Sequence, residues 1–569
     1  MARKAARASR VVRAPSTRRA VVVAQDPSVR RNGRIVTATI DIPAERLEPG
    51  PTGYRVTVID YDASNNVLYT SAAPGDETEP LQVSDDPAVL LADPHQHARN
   101  AYAIVMRILA RFEFALGRRV AWGFDGHQLH VSPHAFADAN AFYAREQRAL
   151  LLGYFTGSSG ATVYTSLAHD IVAHETAHAL LDGLRRRYLE PSSPDQAAFH
   201  EGFADIVALL SVFGLKDVVA ALLSTKDGRL IDSALLTEAR LKETVLFGLA
   251  DEMGEELSAV RGKPLRRSIE LKPGRDYMND PEFQEEHRRG ELLVAAMLTA
   301  FLRIWVGRIG RLGELVPGKK DRDMVVEEGA RVADHLLTMA IRAIDYAPPT
   351  DLTFPDYLSA LLTIDREVVP DDSRYGYRDA LVESFRAFGI GVSERAAEDG
   401  AWPLCELELS YGRTRFDSLV RDRGEVFRFL WENRKTLEVD DEGYLEVQSV
   451  RPCNRVGPDG FILRETVAEY VQILTLRADE LWSQLRIAKP DGVNDWATVR
   501  LFGGGALIFD EYGRLKFHIA NGIARTPADR RRQTVRLEAL ARAGMLSGIA
   551  SSTRLAGLHR ARAIAGELL

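Results

Sequence analysis

A chain of 569 residues, 46% hydrophobic and 27% charged, has enough material for two to four globular domains and lacks the composition of a disordered or fibrous protein. A net charge of −7 gives no global attraction to nucleic acid. The two cysteines, Cys405 and Cys453, are too few for a disulfide framework, and no uninterrupted apolar run is long enough to span a bilayer. The sequence therefore predicts a cytoplasmic protein with neither a membrane nor a nucleic-acid partner.

Taken in chain order, residues 1–20 carry seven Lys or Arg and no acid, and read as a disordered basic arm. Residues 21–90 alternate apolar and polar side chains in "RIVTATIDI" and "YRVTVIDYDASNNVLYT", the pattern of a small β module, and end in an acidic, Pro-containing linker. Residues 91–395 are dominated by helical periodicity, as in "ARNAYAIVMRILARFEFALG" and "GELLVAAMLTAFLRIW", with a short β-like segment ahead of the motif helix. Residues 396–525 mix helix with strand and include a predicted hairpin turning at Glu511 to Gly513. Residues 526–569 form a basic tail with a helical period.

One stretch inside the helical region carries chemistry. "IVAHETAHALLDG" places His174 and His178 four apart, one helical turn from each other on one face, so both imidazoles can point at one ion. Glu175 lies about 100° round the helix, within reach of a water on that ion. Leu167, Ile171 and Leu181 share the histidine face, which must look inward. The five-residue pattern is common by chance, and the next helix adds the weight it lacks.

"SSPDQAAFHEGFADIVALL" starts with Ser193 as N-cap, Pro194 in the first turn and Gln196 completing a Ser-x-x-Gln box. Glu201 and Asp205 then sit four apart in an otherwise apolar helix, where two carboxylates are costly unless neutralised. One zinc ion held by His174, His178 and Glu201, with Asp205 hydrogen-bonding the far nitrogen of a ligand histidine, settles both charges. His200 is a competing ligand but faces away from Glu201. His169 reads as a surface histidine.

These motifs resemble the gluzincin zinc metallopeptidases, specifically the thermolysin-like and fungalysin-like branch. The resemblance covers about residues 95 to 395. It implies an α+β fold with a thermolysin-like metallopeptidase core, mostly helical with a small sheet, flanked here by the N-terminal β module and a C-terminal α/β domain. "NAFYAREQRALLLGYF" is similar to the family's edge-strand segment, which implies that Asn140 and Ala141 hold an extended peptide. "EEHRRGELLVAAMLTAF" resembles the His-x-x-Gly helix start of the fungalysin-like members, which implies an oxyanion-binding role for His287 and a close helix approach at Gly290. Tyr188 falls one residue from the place of the family's tyrosine that assists oxyanion binding, which implies a catalytic role for it at the oxyanion. Asp170 stands where an acidic calcium neighbour occurs, but "VALLSVFG" lacks the companion acids, so calcium is not expected.

The activity implied is peptide-bond hydrolysis of a peptide or protein substrate, with Glu175 as general base. Two other readings stay open: a zinc-stabilised scaffold that binds a protein partner without turnover, and an enzyme restricted to one partner protein. "GGG" at 503–505 reads as a glycine bend, since no Lys-Ser/Thr follows it, and the "RRR" runs read as solvated faces.

Overall fold

Alternating burial along "TRRAVVV" and "TATIDIP" shapes the first two long strands, β1 (Thr17–Val23) and β2 (Thr37–Pro43), which pair antiparallel with Thr17 opposite Pro43. The structure is a computed structural model that describes residues 16–71, 79–157, 160–223, 228–247, 263–274, 276–546, 557 and 559. Residues 17–20, assigned above to a disordered arm, are thus part of a strand, because every second side chain from Arg18 is buried. The rest of the arm, part of the acidic linker and most of the tail beyond residue 546 lie outside the described residues.

The β module is not closed on itself. β3 (Val56–Val58) pairs in parallel with β4 (Leu129–Ala137), which follows the long helix α1 (Pro94–Leu116). Next come β5 (Ala141–Ala144), β6 (Ala149–Thr156) and β7 (Thr162–Tyr164). They make one five-stranded sheet in the order β7-β6-β4-β3, with β5 paired antiparallel to the first half of β6. β5 is a short edge strand, so alternate backbone groups along it are available to whatever lies beside the sheet.

Behind the sheet stand α2 (His169–Leu184) and α3 (Pro194–Phe213), the helices predicted from the metal motif. Ser193 caps α3 by accepting the Gln196 N–H at 3.0 Å, with Pro194 in the first turn. The Gln196 side chain instead donates to Arg187 O and Glu190 O. α4 (Glu286–Gly310) crosses α3 where two glycines meet: a Cβ on Gly290 would sit 3.2 Å from Ala198 O, and one on Gly202 would sit 3.1 Å from Gly290 O. α4 is long and apolar enough to cross a membrane by those measures alone, and here it is packed against α3, α5 (Arg322–Ala343) and the helix Tyr377–Arg386. α6 (Phe354–Val368) completes this helical body, capped by Thr353 after the Pro348–Pro349 break.

The C-terminal region holds helix α7 (Arg423–Glu432) and four strands: β8 (Tyr444–Val456), β9 (Ile462–Arg477), β10 (Thr498–Phe509) and β11 (Leu515–Asn521). They form an antiparallel meander in chain order, and the last two make the expected hairpin across Asp510–Arg514. The "GGG" run lies inside β10 rather than at a bend. Gly504 has φ +143°, and a Cβ there would meet Tyr470 O. One set of sheet residues, including Val467, Ile508, Phe517 and Ile519, joins the core that also contains Ala20, Leu180, Phe203 and Trp305. Another set, including Tyr470, Leu507 and Phe509, packs with Phe429 and Leu430 of α7. The molecule is therefore a mixed α+β protein with several small sheets around a helical body.

The tail opens with α8 (Pro527–Arg542), which has a reciprocal capping box between Thr526 and Asp529. It docks through arginine: Arg536, 1% exposed, reaches Asp351 at 2.6 Å and Glu190 at 2.5 Å.

Candidate metal centre

α2 is buried around nearly its whole circumference, so the predicted inward stripe is only part of its buried surface. From it His174 and His178 project side by side, ring centroids 4.4 Å apart and planes nearly perpendicular. Glu201 faces them from α3, with Oε2 3.6 Å from His174 Nε2 and Oε1 3.5 Å from His178 Nε2. A fourth side chain enters from the far end of the chain. His559 Nε2 lies 3.3 Å from Glu201 Oε1, and its ring stacks against that of His178. The four donor atoms lie within 4.8 Å of one another, and all four residues are buried.

Each imidazole has its outer nitrogen placed by a neighbour. His174 Nδ1 is 2.9 Å from Asp205 Oδ1, His178 Nδ1 is 2.7 Å from His200 Nδ1, and His559 Nδ1 is 2.8 Å from Ala141 O. Partners of this kind fix ring orientation and leave Nε2 for the centre. His200, weighed above as a ligand, instead contacts the far side of His178.

Whether a metal fits can be judged from these distances. Donors about 2.0–2.1 Å from a tetrahedral ion lie about 3.3 Å apart, close to the separations of Glu201 from the three imidazoles. Among the described residues, His174 Nε2 and His178 Nε2 are buried without a hydrogen-bond partner, as a ligand nitrogen is before its ion is added. Burial also pushes the His178 imidazole well below its ordinary pKa, toward the neutral form that metal ligation requires. Burial alone would raise Glu201, but His559 beside it holds the carboxyl well below the usual range. The group can hold a metal ion.

Glu175 sits beside this cluster at 1% exposure. Its Oε2 accepts the Tyr143 N–H at 3.0 Å, and its Oε1 lies 3.4 Å from His559 Nδ1. Tyr143 belongs to β5, and its hydroxyl donates to Asp182 on α2 at 2.9 Å, beside Arg145 Nε at 2.7 Å. The edge strand and the motif helix are therefore fastened together at Glu175 and again about two turns later at Asp182. Within β5, Ala141 and Tyr143 share an orientation, and their outward backbone groups face the centre rather than β6. Asn140 supports this strand: its Oδ1 accepts the Ala141 N–H at 2.9 Å, and its carbonyl accepts the Gly153 N–H at 3.0 Å.

The remaining predicted residues are placed differently. Tyr188 does not face the centre. It is fully buried, its hydroxyl donates to Pro348 O at 2.7 Å, and its ring packs edge-on to Phe199. It is a core residue whose hydroxyl is already committed, so it does not take the expected place at the oxyanion. His287 begins α4 one turn before the Gly202–Gly290 crossing, its Nδ1 2.8 Å from Glu285 Oε1. Its Nε2 is buried with no hydrogen-bond partner among the described residues. His169, read as a surface histidine, is 0% exposed. A cleft of about 540 Å³ lined by Arg267, Lys272, Tyr277 and Arg288 shares none of the metal-facing residues.

The residue that sequence reading missed is His559. It stands 358 positions from Glu201 in an Arg- and Ala-rich tail, with no local motif to mark it. In comparisons with protein-family models and with curated proteins, nothing matches this chain.

Proposed function

We propose that the chain is a zinc-dependent metallopeptidase of the gluzincin kind, with a thermolysin-like or fungalysin-like core. The observation that carries this reading is the convergence of His174 Nε2, His178 Nε2 and a Glu201 carboxylate oxygen beside a separate buried glutamate, Glu175. A purely structural metal site has no use for such a carboxylate. Zinc suits two imidazoles and a carboxylate, and when bound it supplies Lewis acidity that acidifies water and polarises a peptide carbonyl.

The rest of the reaction falls to the chain's own side chains. A peptide lying along β5 would add a strand to the sheet edge, its backbone meeting the outward Ala141 carbonyl while the Tyr143 N–H stays with Glu175. Glu175, held by the Tyr143 N–H, would take the proton of the attacking water and deliver it to the leaving amine. In its protonated form His287 would donate Nδ1–H to Glu285 and turn its Nε2–H to the developing oxyanion. Asp205 and His200 would hold the ligand rings in place from behind.

One observation favours the rival reading, a metal-stabilised scaffold without turnover: His559 brings a fourth protein donor, as closed structural sites do. The two readings separate in one experiment. Zinc content and digestion of a peptide library are measured for the wild type, His559→Ala, and His559→Ala combined with Glu175→Gln. The enzyme reading expects one zinc per chain throughout, cleavage by His559→Ala, and none once Glu175 is also replaced. Zinc-loaded His559→Ala that cleaves nothing would leave the scaffold.

A further inference from the structure

We propose that His559 is a built-in inhibitor: it closes the metal's reaction position and covers the substrate edge, so that the full chain is latent. The proposal rests on the zinc-peptidase reading and concerns how that site is regulated.

Three contacts of one ring carry it. Nε2 points into the donor cluster, 3.3 Å from Glu201 Oε1, where a catalytic ion needs an open position for water. Nδ1 lies 2.8 Å from Ala141 O, an outward carbonyl of the edge strand that an incoming peptide backbone would use. The same Nδ1 lies 3.4 Å from Glu175 Oε1, so the ring stands between the base and the space where water would be activated.

Burial would lower the pKa of the His559 imidazole, but Glu175 and then Glu201 outweigh burial and raise it to about 9 in the metal-free chain, so an ion would take the place of the Nε2 proton. An Nδ1–H donated to a carbonyl leaves the Nε2 lone pair directed at the ion. The ring is 9% exposed and stacks on His178 with centroids 5.4 Å apart, so it is seated inside the centre rather than lying across its mouth. A single side chain thus takes the place of both water and substrate backbone. Catalysis requires residue 559 to be withdrawn, and a partner that binds the tail or a cut upstream of His559 would do so.

The test reads coordination as well as rate. Zinc K-edge absorption of the wild-type protein should fit three imidazoles and one carboxylate oxygen. The His559→Ala and His559→Gln chains should fit two imidazoles with an added light oxygen scatterer. If the closed form holds about 99 of every 100 molecules, replacing His559 should raise peptide-library cleavage about 100-fold. Added imidazole, refilling the vacated position, should then inhibit both variants.

Four outcomes are distinguishable. Three imidazoles in the wild type, two in the variants and a faster variant support the proposal. Zinc bound with two imidazoles in every chain, and equal rates, overturns it while leaving the peptidase reading intact. Loss of zinc on replacing His559 overturns it in favour of a structural fourth ligand. A wild type that binds no zinc removes both readings.

Discussion

Tyr188 and His287 make a contrast at the scale of single residues, because each was assigned to the oxyanion and only one retains a nitrogen or oxygen free to serve it. The Tyr188 hydroxyl is committed to Pro348 O, whereas His287 Nε2 has no partner among the described residues. In a chain relieved by His559→Ala, His287→Gln should lower kcat about 100- to 1,000-fold with little change in KM, as loss of an oxyanion donor does. Tyr188→Phe should leave kcat/KM unchanged and cost about 1–3 kcal/mol of stability, because a buried carbonyl loses its donor. Steady-state kinetics paired with urea denaturation checks both, and a large kcat loss in Tyr188→Phe would reverse the assignment. A second residue-scale prediction concerns His169. Burial, helped by Arg107, pushes its pKa down to about 3 from an unfolded value of about 6.5. Between those values the unfolded chain binds a proton that the native chain refuses, so stability falls as pH drops from about 6.5 toward 3. The urea midpoint of the metal-free wild type should therefore fall more steeply between pH 7 and pH 4 than that of His169→Gln. Parallel curves would mean that His169 titrates normally.

At the scale of elements, the Gly202–Gly290 crossing fixes how far α4 stands from the helix that bears Glu201. Any Cβ at residue 290 presses on the Ala198 carbonyl at 3.2 Å, and a branched side chain would force the helices apart. Gly290→Val should cost about 1–3 kcal/mol and weaken zinc binding, since Glu201 moves with its helix. Gly307, on the same helix with nothing near its Cβ position, supplies the control: Gly307→Ala should leave zinc affinity intact. Elements are also where the sequence was most readable. α2 and α3 were legible because the motif spacing, the Ser193 cap and Pro194 are local signals. The β10–β11 hairpin was legible from strand alternation on both sides of its turn. The joining of β3 to the sheet of β4 was not, because a parallel pair leaves no mark in the segment between its strands. His169 was misread because it stands just before the motif with no pattern of its own, while a distant segment packs there, the Gln25 carbonyl accepting its backbone N–H at 2.7 Å. His559 was invisible for the same reason at greater range. Ligand spacing is a local property only within a helix, and a donor supplied from the tail has no spacing to read.

Across the whole molecule, buried charge joins the helical body to the C-terminal sheet. Arg118, after α1, makes a paired contact with Asp345 at 2.5 and 2.7 Å. Arg455 of β8 reaches the same carboxylate at 2.5 Å, and also Glu465 of β9, which accepts the Tyr346 hydroxyl at 2.6 Å. Arg185, just past the motif helix, binds Glu469 at 2.7 Å. Burial would raise Asp345, but Arg118 and then Arg455 hold it well below the usual carboxylate range, so it is ionised in the folded state. Removing that charge leaves two buried guanidinium groups facing a neutral side chain. Asp345→Asn should therefore destabilise by about 3–5 kcal/mol, the usual cost of breaking a buried pair by removing one partner. Replacing Asp345 by Leu and Arg118 by Met together should recover part of the loss, because Arg455 keeps its partner Glu465 and the stranded guanidinium of Arg118 is gone. The shared core, which contains residues from Ala20 to Ile519, makes a further demand. Unfolding should stay a single transition in wild type and variant alike, with tryptophan fluorescence and far-ultraviolet circular dichroism coinciding along the urea axis. Two separated transitions in the wild type would mean that the sheet folds as a domain of its own, and that these charges orient two bodies rather than hold one together.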